Sequence, residues 1–338
     1  MTRPRPEVSV ILPIFNRATF LPAAFDAIRA QQMPSLEVVV IDDGSVDESK
    51  QVIDGIAAAF PHQIRYVRQE NQGAYGARNT GVGLADGQYL AFYDSDDVWR
   101  AEHLPKCVDA LRQYPDVDWV YSASEIVDLE SGRMLDPNCF YVDGKPRPFM
   151  RLAHESRGPL QVITDRGGVL CQIEHGLYCG LQNSVLRRQV FDRLRFEWKS
   201  RNEAEDQLFA IRAVSAGIRL AYFDAVHLRY HVHGGNSSGS AKGITVEKLS
   251  RVYRPLVQGY ERLPLEIPLD AVERRALRKR IAKELFWHLG YSGYWAAGAH
   301  SLALEAFRDA LSAWPWDILQ WKTYLLALAR SSVRRTSS

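Results

Sequence analysis

The chain has 338 residues, of which 46% are apolar, 11% aromatic and 24% charged. That composition excludes a disordered chain, no run approaches the ~20 apolar residues of a membrane-spanning helix, and the length suits roughly two domains. Net charge is +2, but residues 245–338 carry 15 Lys and Arg against 9 Asp and Glu, whereas the remainder carries 27 against 31, so the two parts are expected to do different jobs.

The first half alternates short β-branched runs with amphipathic stretches. Val8–Ile14 reads as a buried strand and Thr19–Gln32 as a helix with Leu21, Phe25 and Ile28 on one face. Glu37–Ile41 is a second strand, stopped by Asp42-Asp43-Gly44-Ser45, and a helix to about Phe60 follows. Further strands are expected at Ile64–Val67, Gln88–Tyr93 and Val117–Ala123, with helices at Tyr75–Ala85 and Glu102–Tyr114 between them. Strands spaced by helices of this length predict parallel βαβ units and an open α/β sheet. The pattern decays into a loop region over Asp136–Gly168, then resumes with a helix at Ala204–Ala216 and strands at Arg219–Phe223 and Val226–His231. A Gly/Ser segment, Gly234–Gly243, reads as the domain boundary, and everything after Thr245 reads as helix.

The N-terminal Met-Thr-Arg-Pro-Arg-Pro-Glu lacks a signal-peptide core, so a cytosolic protein is the expectation. Cys107, Cys139, Cys171 and Cys179 form no C-x-x-C pair and no zinc spacing, and read as packing residues in a reducing compartment. His154, His175 and His227 are isolated and read as ordinary structural or surface histidines.

In open α/β sheets ligands bind at the carboxyl ends of the strands. Three acidic features fall at such places: Asp42-Asp43, Asp94-Ser95-Asp96-Asp97 and Glu203-Ala204-Glu205-Asp206. Any one of them alone is explained by complementing a helix dipole. Three converging on one sheet edge would repel each other unless a cation offsets them. A D-x-D turn suits a hard divalent ion, Mg²⁺ or Mn²⁺, that shares its shell with phosphate oxygens. No Walker sequence occurs and the turn after the first strand lacks the Rossmann glycines, so ATPase and dehydrogenase readings drop out. A nucleoside diphosphate substrate is the reading that survives.

Val8-Ser-Val-Ile-Leu-Pro-Ile-Phe-Asn16, Val40-Ile-Asp-Asp-Gly-Ser45, Asn71-x-Gly73, Ala77-Arg-Asn-x-Gly81, Asp94-Ser-Asp-Asp97, Glu205-Asp-x-x-Leu208 and Tyr230-x-x-His233-Gly-Gly-Asn-Ser237 together resemble the family 2 inverting glycosyltransferases of GT-A fold. The resemblance runs from about residue 7 to 240 and implies a GT-A catalytic domain over 1–240, with a nucleotide-sugar half to about 123 and an acceptor half after it. Residues 241–338 would form a helical domain with a basic tail. The resemblance implies that Pro13 and Phe15 line the base, and that Asp43, rather than Asp42, bonds the uracil N3–H. Arg78, Asp94 and Ser95 would face the donor, Asp96 and His233 would hold Mn²⁺ or Mg²⁺ against the diphosphate, and Asp206 would be the base. Glu205 and Gln182 are placed on the acceptor side. The family often has Arg where this chain has His231. A zinc reading of His231-x-His233 is set aside on the expectation that the two rings diverge along the strand.

Inversion is one in-line displacement that needs a base and charge stabilisation of the leaving diphosphate. Asp206, crowded by Glu203 and Glu205, is expected to have its pKa pushed upward, as a base working near neutrality requires. The Gly234–Gly243 loop is a candidate closure over the donor. The acceptor, a glycan or a lipid-linked saccharide, is expected against Asp136–Gly168 and Gly176–Asn183.

In the last third, Trp287-x6-Tyr294, Gly298, Ala303-x3-Phe307, Ala310 and Pro315 resemble one tetratricopeptide-type hairpin, with the Leu-Gly step displaced to Leu289-Gly290. The last helix, from Trp316 to about Val333, is apolar and ends in Arg330, Arg334 and Arg335. It reads as a core-facing or dimer-forming helix, with peripheral contact to an anionic membrane as the alternative. The cations lack nucleic-acid-binding organisation. A sugar-nucleotide pyrophosphorylase is disfavoured by the missing Gly-rich loop; a non-catalytic nucleotide-binding module and a peptide-directed transferase are the other readings considered.

Overall fold

The computed structural model describes residues 5–202, 204–234 and 245–336. The chain divides into two compact units, one of residues 1–201 with 205–233 and one of residues 202–204 with 234–338.

The first unit is built on a mixed sheet. In chain order it contains β1 (Val8–Ile14), α1 (Leu21–Arg29), β2 (Leu36–Asp42), α2 (Ser49–Ala57), β3 (Gln63–Arg68), α3 (Ala74–Leu84), β4 (Tyr89–Phe92), β5 (Val98–Trp99), α4 (His103–Gln113) and β6 (Trp119–Asp128). There follow β7 (Met134–Asp136), β8 (Tyr141–Val142), β9 (Lys145–Pro146), a short 3₁₀ turn, β10 (His154–Arg157), β11 (Leu160–Ile163), α5 (Gly168–Glu174), β12 (Ser184–Arg187), α6 (Val190–Arg193), α7 (Glu205–Ser215) and β13 (Leu220–Val232). The sheet order is β10-β11-β13-β6-β12-β4-β1-β2-β3, with β5 on β13 and β7 on β6.

The predicted parallel block is present: β4, β1, β2 and β3 pair in parallel. Along β1, Val8, Val10, Leu12 and Ile14 join one buried cluster with Phe25, Ile28, Leu104 and Val108, whereas Ile11 points into the other with Ala77, Val82 and Phe92. This period-two split is what a strand covered on both faces requires.

Three features differ from the sequence reading. The segment read as a loop region, Asp136–Gly168, contains the β8–β9 ladder and the β10–β11 ladder, the latter extending the sheet at its edge. β8, β9 and β10 are two to four residues long and largely exposed, and β11, though half-buried, is only four residues long, so none is long enough for its alternation to be read. Antiparallel β12 separates β4 from β6, which ends the parallel order. The two strands expected at Arg219–Phe223 and Val226–His231 are one strand, β13, with register shifts between Phe223 and Val226 and between Val226 and Leu228.

The second unit holds α8 (Val246–Glu266), α9 (Ala271–Lys283), which runs into a π-helical stretch over Glu284–Trp295, then α10 (His300–Ala313) and α11 (Ile318–Thr336). Asp270 caps α9 through a reciprocal box with Glu273. Leu289, Tyr294, Ala303, Phe307 and Ala310 are buried in the hairpin, and Gly298 turns the chain at φ +78°. Likeness to a tetratricopeptide unit rests on the sequence pattern alone. On α11 and just before it, Trp316, Ile318, Leu319, Leu325 and Leu326 are exposed, which differs from a core-facing helix. Among the described residues no helix is long and apolar enough to cross a membrane.

Candidate active site

The carboxyl ends of β1, β2 and β4 meet at one edge. Asp43 N–H donates to Ile14 O at 2.8 Å, and Tyr93 N–H donates to Ile11 O at 2.9 Å, so the turns after β2 and β4 flank the end of β1. There Pro13 is partly exposed and Phe15 is 47% exposed, as an open wall for a flat ring would be. Asn16 adopts φ +55° and clamps this turn to the next, its Oδ1 accepting from Val46 N–H and its own N–H donating to Ser45 Oγ.

Asp42 and Asp43 are both buried but do different work. Asp42 accepts from Ser45 N–H at 2.7 Å and from the Tyr66 hydroxyl. Asp43 accepts from Gln69 Nε2 at 2.7 Å and from the N–H groups of Gln72 and Gly73 at 2.8 Å each. Gly73, at φ +84°, lets the chain turn so that both N–H groups point at that carboxylate, which gives the Asn71-x-Gly73 motif a physical reason. A carboxylate has about four acceptor positions, so Asp43 retains capacity for one further donor.

Helix α3, anchored in this way, carries Tyr75 and Arg78 toward the cleft. Arg78 donates to Asp94 Oδ1 at 2.6 Å and lies over the Tyr75 ring at 4.8 Å. Its buried Nε has no partner among the described residues. Asp206 N–H donates to the Tyr75 hydroxyl at 3.2 Å, which brings the start of α7 to the same place. The Asp206 carboxyl is raised above the ordinary value by burial, with Arg78 opposing the shift and Asp94 adding to it. The expected direction is thus found, but burial and Asp94 are its causes. Glu203 lies outside the described residues. Glu205, placed on the acceptor side from sequence, is instead 1% exposed, paired with Arg212 and bonded to Glu197 N–H at 2.8 Å. Burial pushes its carboxyl up to about 7. It ties the 197–205 segment together.

The acidic turn is closed by Asp97 N–H donating to Asp94 O. Ser95 is buried within it. Asp97 faces inward, accepting from His231 N–H at 3.0 Å, and burial raises its carboxyl well above the usual range. Asp96 faces His233, whose Nε2 lies 3.0 Å from Asp96 Oδ2, and Arg17 approaches the same oxygen at 3.4 Å. His233 stacks on Phe20 at 5.6 Å. The His231 and His233 rings do not diverge: His231 Nδ1 lies 2.6 Å from the backbone oxygen of Asp96. Residues two apart on a strand share a face, so both histidines reach Asp96 instead of facing opposite sides. Gln182 meets this region through its backbone, its carbonyl accepting from Trp99 Nε1 at 2.7 Å. The proposed closing loop lies largely outside the described residues. Sequence reasoning missed Tyr75, Arg17 and Phe20, whose residue types carry no signal until tertiary contacts place them.

Asp96 and His233 set a carboxylate oxygen and an imidazole nitrogen side by side, a donor pair whose chemistry suits Mn²⁺ and, through the oxygen, Mg²⁺.

The model of glycosyl transferase family 2 matches residues 9–192. The succinoglycan biosynthesis protein ExoW of Rhizobium meliloti is 29% identical over 232 residues, 65% of this chain and 67% of that protein. The uncharacterized glycosyltransferase alr2836 of Nostoc is 38% identical over 122 residues, spanning 36% of this chain and 38% of that protein. Among solved structures, S. aureus TarS (residues 1–349) in complex with UDP-GlcNAc superposes with a TM-score of 0.63 at 19% identity, covering 91% of this chain and 81% of that one. The mannosyltransferase PcManGT of Pyrobaculum calidifontis, in complex with GDP-Man and Mn²⁺, gives 0.54 at 20% identity, covering 98% and 88%. With more than half of its length matched by the family model and its sheet shared with GT-A structures, this chain belongs to glycosyl transferase family 2.

Proposed function

We propose that the protein transfers a sugar, with inversion, from a nucleoside diphosphate to a hydroxyl of a glycan or lipid-linked saccharide. UDP is the default nucleotide. The observation that carries the reading is the cluster of Arg78, Asp94, Tyr75 and Asp206 beside the Asp96–His233 pair at one strand edge. ExoW, named for succinoglycan biosynthesis, supports a polysaccharide product. The sugar nucleotides bound to TarS and PcManGT support the donor class.

Pro13 and Phe15 would line the base, with Asp43 offering its remaining acceptor position to an imide N–H. Arg78, whose Nε is unpartnered among the described residues, would turn from Asp94 toward the donor. Asp94 and Ser95 would face the ribose or sugar. Asp96 and His233 would hold Mn²⁺ or Mg²⁺, which when bound neutralises charge on the diphosphate. Asp206 would take the proton of the acceptor hydroxyl. Its raised pKa suits a base, provided that it is ionised at the working pH. Gln182, whose carbonyl is bonded to Trp99 just after the acidic turn, would border the acceptor.

A thermal-shift panel of UDP-, GDP-, dTDP- and CMP-sugars with and without Mn²⁺ tests the reading. One nucleotide class should raise the melting temperature in a Mn²⁺-dependent manner. No shift with any of the four would overturn it.

A further inference from the structure

We propose that His103, Cys107 and His227 form a buried site for one thiophilic transition-metal ion, zinc or cuprous copper, separate from the Asp96–His233 pair. His103 and Cys107 are four residues apart on α4, hence on one face of the helix. His227 faces them from β13. One ligand atom from each lies within 4.8 Å of the others. All three residues are buried, His103 and Cys107 at 0% exposure and His227 at 1%.

Buried polar atoms are nearly always hydrogen-bonded. Here three are not: His103 Nε2 and both ring nitrogens of His227 have no partner among the described residues. The remaining ring nitrogen, His103 Nδ1, has only the Cys107 sulfur, 3.9 Å away. A metal would take one nitrogen from each of these two imidazoles together with the Cys107 sulfur.

The chemistry agrees with the geometry. Burial lowers the pKa of both histidines, His227 to about 4, so the rings are neutral and keep a lone pair. Burial raises the Cys107 thiol, so it holds its proton until a cation displaces it, one proton leaving to water per ion bound. A mixed nitrogen and sulfur set suits zinc or cuprous copper and not Mg²⁺. Zinc–ligand bonds of ~2.0–2.3 Å require the three side chains to close by about 1 Å.

The site would tie α4 to β13 just behind the acidic turn. Arg100 N–H donates to His227 O at 2.9 Å, Trp99 pairs with Leu228, and the Trp99 ring lies 5.0 Å from that of His103. The ion's part would be structural, holding the frame from which Asp94–Asp97 projects.

The test uses the full chain, stripped with chelator and titrated with Co²⁺. A thiolate-to-cobalt charge-transfer band saturating at one ion per chain, displaced by zinc, is expected. The band should vanish in Cys107→Ser and persist in Asp96→Ala. Elemental analysis of the purified protein should find about one zinc or copper, its identity naming the ion. No charge-transfer band in the wild-type protein, which needs no variant to fold, would overturn the site, as would an unchanged band in Cys107→Ser.

Discussion

His233 and Asp96, 137 residues apart in sequence, meet with 3.0 Å between Nε2 and Oδ2. Asp96 comes from the turn after β4 and His233 follows the end of β13, so a cation held by both would join these two segments. Asp96→Ala and His233→Ala should each remove the Mn²⁺-dependent part of the melting shift caused by UDP or the preferred nucleotide. A shift of wild-type size in both variants would refute the metal assignment.

Asp206→Asn should leave nucleotide binding intact and reduce transfer by roughly two to four orders of magnitude. Tyr75 still accepts from the backbone of residue 206 in that variant, so α7 keeps its place. Single-turnover transfer with saturating donor is the measurement. Near-normal turnover would put the base elsewhere.

The pH profile gives a signed prediction. The Asp206 carboxyl is raised by burial, with Asp94 contributing, so the acid limb of kcat/KM for the acceptor should lie above the ~3.9 of an ordinary aspartate. Asp94→Asn removes a nearby negative charge and frees Arg78, and both changes favour the ionised carboxylate. The limb should therefore move to lower pH in that variant. A move to higher pH would contradict the Asp94–Arg78–Asp206 coupling.

Gly81 explains part of the Ala77-Arg-Asn-x-Gly81 motif. A Cβ there would stand 2.5 Å from Ile11 Cγ2, so α3 can lie this close to β1 only without a side chain. Gly81→Ala should destabilise the protein by about 1–3 kcal/mol, as overpacking does. The cost should be smaller in an Ile11→Ala background, read as coupling in denaturant melts. Additive losses would mean that the clash is relieved some other way.

The parallel block and most of its helices were legible because β1 and β2 are buried on both faces and turn residues punctuate them. The acidic turns were legible as well, because they sit at strand ends. Antiparallel β12 and the short edge ladders were not, since strands of two to four residues are too short to show a period. Glu205 shows a second limit. Sequence places it beside Asp206, but a helix turns neighbours about 100° apart, and packing sent one into the interior against Arg212 and the other toward Tyr75.

By itself the sequence determined the order of the longer elements, the residues available at the ends of β1, β2 and β4, and the family, because local periodicity and turn chemistry act over a few residues. Only the tertiary structure decided which of those residues meet. The His233 approach to Asp96 and the convergence of His103, Cys107 and His227 depend on β13 running out to the acidic turn, whereas the Arg78 pair with Asp94 joins α3 to the turn after β4. Long-range contacts of that kind are fixed by burial and by strand pairing across the whole sheet, which no short stretch of sequence encodes.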